Sequence, residues 1–96
     1  MFNSIAIVET PHAANYLRKL CIHWQQRFTV EFDTKSGTID FGNGETTHIS
    51  VTDQSLKICV SAPQKDCVNE LEQIVEEHIN RFARKESLFF KWRMSD

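Results

Sequence analysis

The alternation of apolar and polar residues between positions 28 and 62 constrains the fold more than any other feature of the sequence. Apolar residues occupy every second position in four short segments, which the turn-forming stretches DTKSG, GNGE and TDQS separate. Alternation with a period of two is typical of strands that bury one face, and short turns join antiparallel neighbours. The pattern therefore predicts a four-stranded antiparallel meander with one apolar face and one polar face.

Two segments beside this meander have the spacing of amphipathic helices. The first spans residues 11–26, after a short β-rich segment at 4–9, and Thr10 is its predicted N-cap. The second begins at about Gln64 or Asp66 and ends at Lys85, and each segment carries a single apolar stripe. The stretch SLFFKWRM at 87–94 alternates again and predicts a last strand.

The predicted order of elements is β-α-β-β-β-β-α-β, which is an α+β protein. Two helices with one apolar stripe each must cover the one apolar face of a mainly antiparallel sheet. A chain of 96 residues is long enough for one such core and leaves no room for a second. We therefore expect a single domain over residues 1–96, a two-layer sandwich with both helices packed on one face. Trp24 and Phe82 lie on the two stripes and are expected to be buried.

Composition and charge exclude several classes of protein. Eleven Lys and Arg against thirteen Asp and Glu give a formal net charge of −2, so no nucleic acid or anionic membrane partner is expected. The apolar runs are too short for a membrane span, and the N-terminus lacks the pattern of a secretory signal. Three cysteines form no C-x-x-C motif, and an odd number argues against a disulfide scaffold. We expect a cytoplasmic protein whose thiols are reduced and pack as small apolar residues.

The segment TPHAANYLRKLCIHW, residues 10–24, concentrates chemically active side chains on the first helix. His12 and His23 point in nearly the same direction, and Tyr16 and Lys19 lie between them beside the apolar stripe. The two imidazoles are about 16 Å apart along the axis, too far to share one metal ion. Each could join a site with residues from elsewhere, but the two cannot form a site of their own. We predict no metal site and no cofactor, and expect this flank to be a wall that contacts a ligand or a partner. The alternative hypothesis is a packing helix whose polar groups are satisfied separately.

His78 and Glu86 are the candidates near the second helix. His78 lies in the middle of the apolar stripe, so it is expected to be either a satisfied core histidine or a ligand facing an internal pocket. Glu86 is expected to pair with Arg81, Arg84 or His78. A His–Glu pair suits general acid–base chemistry, but it also serves to fix a corner between helix and strand. No triad order, paired-carboxylate spacing or nucleotide fingerprint supports an enzyme.

The polar face of the predicted sheet is left uncovered, and such faces often receive a partner or the second subunit of a homodimer. Its mixed charge without an aromatic pair argues against a platform for stacking bases. The residues expected on this face are Glu31, Asp33, Asp40, His48, Ser50, Lys57, Cys59, Phe89, Lys91 and Arg93.

The segments that carry the candidate residues resemble a known bacterial family. TPHAANYLRKLCIHWQQRFTVEFD, GTIDF and HINRFARKESLFFKW are similar to domain-of-unknown-function family 2218, and the likeness covers nearly the whole chain. The most specific pieces, T-P-H-A…Y-L…L-C-x-H-W and H-[IL]-x-R-F-A-x-[KR]-E, fall on the two helices. Gln26 departs from the family pattern, in which a third histidine is frequent there. The resemblance implies a loose association with iron uptake, because members are sometimes attached to or encoded beside siderophore-interacting flavin reductase domains.

Two functional hypotheses follow from the sequence. In the first, the chain is a binding or accessory module linked to iron or siderophore metabolism, and imidazoles from both helices converge on one accessible cavity. In the second, it is a structural protein–protein interaction domain without a ligand site, and its histidines are satisfied separately. The residues proposed to contact a ligand or partner are His12, Tyr16, Lys19, His23, His78 and Glu86.

Overall fold

The computed structural model describes residues 1–95, and its elements follow the predicted order β-α-β-β-β-β-α-β. The strands are β1 (Phe2–Glu9), β2 (Thr29–Phe32), β3 (Ser36–Gly42), β4 (Glu45–Val51), β5 (Ser55–Ala62) and β6 (Arg93–Ser95), and the helices are α1 (Ala13–Trp24) and α2 (Lys65–Phe82). The strands form one antiparallel sheet in the order β2-β3-β4-β5-β1-β6. The predicted two-layer α+β sandwich is confirmed.

The apolar side of the sheet is the side that the alternation predicted, and both helices lie on it. Ile39, Ile49 and Ile58 are fully buried there, with α1 across β2 to β5 and α2 across β4, β5 and β1. Each aliphatic side chain buried in this way contributes about 1.5–3 kcal/mol. Trp24 is 4% exposed, as expected. Phe82 is only partly buried, because it lies at the end of α2, where the Lys19 ammonium sits 5.8 Å from its ring centre.

A glycine lets α1 approach the sheet closely. A Cβ atom at Gly37 of β3 would lie 2.7 Å from Cys21 Sγ and 2.9 Å from Phe32 Cβ, so no larger residue fits without displacing a neighbour. Cys21 is fully buried at this contact, and burial raises the pKa of its thiol to about 11. It therefore packs as a small apolar residue, as predicted for the cysteines. Cys59 and Cys67 are half-buried free thiols.

The helix boundaries differ from the predicted ones at three places. α1 begins at Ala13 and ends at Trp24, so it is shorter than the predicted 11–26. Thr10 is not the N-cap, because its hydroxyl oxygen instead accepts a hydrogen bond of 3.1 Å from the His12 backbone N–H, ahead of the helix. α2 ends at Phe82 rather than at residue 85, because Ala83 leaves the helical region with φ −92° and ψ 54°.

The last strand is much shorter than predicted. Only Arg93–Ser95 pairs with β1, while residues 83–92 form an irregular connection. The alternation seen in the sequence is nevertheless real, because Leu88, Phe90 and Trp92 pack against the core. The Trp92 indole N–H also donates a 2.8 Å hydrogen bond to Glu76 on α2, which holds this segment to the helix layer instead of the sheet edge.

Within residues 1–95, no helix combines the length and apolar character that crossing a membrane requires.

Candidate functional site

The carboxylate of Glu86 joins three segments of the chain at one corner of the helix layer. The Thr10 hydroxyl, at the end of β1, donates to it with 3.0 Å to each carboxylate oxygen. The Tyr16 phenol, on α1, donates to Oε2 of the same carboxylate. Residues 83–86, which follow α2, are thereby fixed against the first turns of α1.

Tyr16 is buried at this corner, whereas the helical spacing placed it on the flank beside the apolar stripe. Its side chain is 4% exposed. Burial, together with the hydrogen bond to Glu86 and the charge of that carboxylate, raises the pKa of Tyr16 to about 12. The phenol therefore stays protonated near neutral pH and acts as a hydrogen-bond donor that positions Glu86. It is unsuited to act as a general base.

A surface pocket of about 350 Å³ opens beside the Tyr16–Glu86 contact. Its lining residues are His12, Asn15, Tyr16, Lys19, Phe82, Arg84, Lys85 and Glu86. Three cationic side chains thus surround one carboxylate, which is itself already hydrogen-bonded to two hydroxyls. Positive charge therefore dominates the pocket at neutral pH. We call this group of residues the corner pocket.

The first turn of α1 adds to the positive potential of the corner pocket. This turn contains no acidic residue, and no side chain from residues 1–95 caps its backbone N–H groups. Free N–H groups and the aligned peptide dipoles at a helix N-terminus favour an anion. His12, at the N-cap, and Asn15, within this turn, line the pocket, and the His12 ring is 6.3 Å from the Tyr16 ring.

His23 and His78 lie in a different place, beside Trp24 at the C-terminal end of α1. Their ring centres are 5.1 Å apart, and the His78 ring is 4.9 Å from the Trp24 indole. His78 Nδ1 lies 2.7 Å from the Ile74 carbonyl oxygen, which can only accept, so Nδ1 donates this hydrogen bond.

His78 is half-exposed, so the expectation of a core position was wrong. The reason is the orientation of α2. Val75 and Ile79 take the centre of its buried stripe, whereas Ile74 is 40% exposed and, with His78, lies at the margin. A helical period gives the direction of a side chain but not the depth to which the neighbouring helix covers it.

The structure therefore divides the six candidate residues into two groups. Four of them line the corner pocket: His12, Tyr16, Lys19 and Glu86. Imidazoles from the two helices do meet, at His23 and His78, but His12 is not among them. Glu86 bonds to two hydroxyls, not to the expected arginines or His78.

Sequence reasoning missed several residues of the corner pocket, namely Thr10 beneath Glu86 and Asn15, Phe82, Arg84 and Lys85 in its lining. The basic run RFARK directly before Glu86 was the available signal.

Within the described part of the chain, no three side chains of His, Cys, Asp or Glu are grouped to hold a metal ion. The His23–His78 pair offers two imidazoles, short of the three or four protein ligands of a zinc site.

Comparison with known proteins gives a family and a fold. No curated protein matches the chain. The NMR structure of PA4090 from Pseudomonas aeruginosa is similar, with 32% sequence identity, a TM-score of 0.84, and coverage of 97% of this chain and 96% of that one. The family described as an uncharacterised protein conserved in bacteria, DUF2218, matches residues 5–93. The resemblance seen in the sequence is thus confirmed, and the chain belongs to the DUF2218 family of bacterial proteins.

Proposed function

We propose that this chain is a small binding module and that the corner pocket takes a small anion with carboxylate or phosphate oxygens. The observation that carries the proposal is the charge of the pocket, where Lys19, Arg84 and Lys85 surround a single carboxylate. Hydrogen bonds from ammonium or guanidinium groups to an anionic oxygen are about twice as strong as neutral ones. Arg84 is suited to contact a carboxylate or phosphate with two parallel N–H groups.

The size and walls of the pocket favour a small ligand with both polar and apolar parts. A volume of about 350 Å³ lies at the lower end of the range for small-molecule sites. Phe82 supplies an apolar wall, and Asn15 supplies a neutral amide that donates and accepts. The bonds from Thr10 and Tyr16 keep Glu86 in place, so the pocket is held ready before a ligand arrives.

A narrower form of the proposal links the ligand to iron. Ferric ion is carried by chelators with carboxylate or catecholate oxygens, and these chelates are commonly anionic. The pocket cations would then contact the oxygens of the chelator, with no protein side chain on the metal. This form rests on the charge of the pocket and on the association with iron uptake that the family resemblance implies.

A cytoplasmic location belongs to the same proposal and is supported by three free thiols, which suit a reducing compartment.

Calorimetric titration with citrate, ferric citrate and inorganic phosphate tests the proposal. We expect at least one of these anions to bind, and the double variant Lys19→Gln, Arg84→Gln to weaken that binding at least tenfold. Lys65→Gln is the matched control, because Lys65 begins α2 at the end opposite to the pocket. Tighter binding of ferric citrate than of citrate would support the narrower form. Equal affinity in the double variant and the control would contradict the proposal, as would no binding of any of the three anions.

A further inference from the structure

The face of the sheet that the helices leave uncovered carries one continuous row of residues across all six strands. From the β2 edge to the β6 edge, register partners follow one another as Glu31, Thr38, His48, Cys59, Ile5 and Arg93. Residues directly opposite one another in antiparallel strands share a face. The row therefore begins with a carboxylate and ends with a guanidinium, about 24 Å apart at the usual spacing between strands.

Charge on this face is separated into two halves. Glu31 and Asp40 are exposed on β2 and β3. Lys57 and Arg93 are exposed on β5 and β6, and Lys91 precedes β6. Between its two charged ends the row carries Thr38, His48, Cys59 and Ile5, with the Thr38 hydroxyl 2.8 Å from Nδ1 of His48.

The basic half also holds exposed apolar surface. Ile7 on β1 is 59% exposed and pairs in register with Lys57. Together with Ile5, Lys91, Arg93 and Met94, it lines a surface pocket of about 520 Å³. Glu9, at the far end of β1, is the one acidic side chain among the paired positions of this half in residues 1–95, so positive charge remains in excess.

We propose that this face binds a second copy of the chain, related by a twofold axis that runs parallel to the strands between β4 and β5. Such an axis places β2 of one copy over β6 of the other, so Glu31 meets Arg93 of the partner copy twice in each dimer. A twofold axis across the strands would instead oppose like charges. The acidic and basic halves thus select one arrangement of two copies.

The dimensions of the molecule fit this arrangement. The extents of the described chain are 33 × 27 × 20 Å, and the shortest one corresponds to the two layers of the sandwich. A face of that size has room for the roughly 800 Å² that each partner buries in a standard interface. The corner pocket lies in the helix layer and stays open in such a dimer, so this inference is independent of the proposed ligand.

Sedimentation equilibrium of charge-reversed variants tests the proposal. We expect the unaltered chain to dimerise reversibly, and Glu31→Arg or Arg93→Glu alone to weaken dimerisation at least tenfold. An equimolar mixture of the two single variants should dimerise again, because each Arg–Arg or Glu–Glu contact is replaced by an Arg–Glu contact. The double variant Glu31→Arg, Arg93→Glu should recover the dimer for the same reason.

Two further measurements keep the result unambiguous. Circular dichroism of each variant shows whether the fold is retained, and Lys65→Glu on the helix side serves as a charge-matched control that should dimerise normally. High salt should weaken the dimer, because the deciding contacts are ionic. A chain that stays monomeric at all concentrations would contradict the proposal. So would single variants that dimerise like the unaltered chain, or folded single variants whose mixture fails to associate.

Discussion

The Tyr16 hydroxyl donates a hydrogen bond to Oε2 of Glu86, a residue 70 positions later in the chain. This contact holds the first turns of α1 against the segment that follows α2, and it forms one side of the corner pocket. The stability of the corner and the shape of the pocket therefore depend on the same pair of side chains.

The energy of this contact is measurable by a double-mutant cycle. We expect Tyr16→Phe to lower the free energy of unfolding by about 1–2 kcal/mol, because one hydrogen bond to a charged group is lost without creating a cavity. Glu86→Gln in the same background should show a coupling energy of about 1 kcal/mol in urea unfolding. Additive effects of the two substitutions would contradict the contact.

The titration of Tyr16 gives a spectroscopic signature of the corner. Tyr16 is the only tyrosine in the chain, so the tyrosinate absorbance band reports it alone. The folded chain should ionise with a pKa of about 12, against 10.0 for an unperturbed tyrosine. Glu86→Gln should move this pKa part of the way down, because burial is the larger cause and remains. A midpoint near 10 in the folded chain would contradict the burial of the phenol.

Stability is expected to fall as pH rises above about 9. Between pH 10 and 12 the unfolded chain releases the Tyr16 proton while the folded chain keeps it, so deprotonation favours unfolding. Cys21 acts in the same direction between pH 9 and 11, because its pKa is also raised in the folded state. Thermal unfolding of Tyr16→Phe and Cys21→Ala across this range separates the two contributions. Each variant should lose its own part of the alkaline decrease, and an unchanged pH profile in either variant would refute that assignment.

Gly37 sets the distance between α1 and β3, and Gly37→Ala should destabilise the fold. The added methyl group would overlap Cys21 Sγ and Phe32 Cβ, and overpacking of this kind costs about 1–3 kcal/mol. Cys21→Ala removes one of the two close atoms. In urea unfolding, the double variant should therefore lose less free energy of unfolding than the two single variants lose together. A neutral Gly37→Ala substitution would show that α1 is free to shift.

Two buried threonines should respond in opposite ways to the same substitution. Thr47 Oγ1 has no hydrogen-bond partner within residues 1–95, so Thr47→Val should leave stability unchanged or raise it by up to about 1 kcal/mol. Thr10→Val removes the donor to Glu86 and the acceptor for the His12 N–H, and should cost about 1–2 kcal/mol. Urea unfolding of the two variants checks the sign of each effect, and equal responses would contradict the assigned contacts.

The strands and the stripes of the helices could be predicted from the sequence because each depends on a local period. Ile39, Ile49 and Ile58 are buried where the alternation places them. The end of α2 and the length of β6 depend instead on tertiary contacts. Trp92, for example, bonds to Glu76 of α2, and residues 83–92 follow the helix layer rather than the edge of the sheet.

The candidate site was predictable in its residues but not in its grouping. The sequence singled out residues on the first helix, and the structure places His12 at the corner pocket and His23 beside Trp24, because the two histidines lie at opposite ends of α1. The bond between Tyr16 and Glu86 joins positions that no local pattern connects. The hydroxyl groups that donate hydrogen bonds to Glu86 become apparent only from the packing of α1 against the end of α2.

The corner pocket is proposed to bind a small anion, and NMR titration with citrate tests this binding at the level of single residues. Saturable shifts in the ¹H–¹⁵N spectrum should be confined to the amides of residues 12–19 and 82–86. These shifts should be lost in the Lys19→Gln, Arg84→Gln double variant and kept in Lys65→Gln. Unsaturable shifts, or shifts centred on the open sheet face or the first turn of α2, would contradict the proposed function.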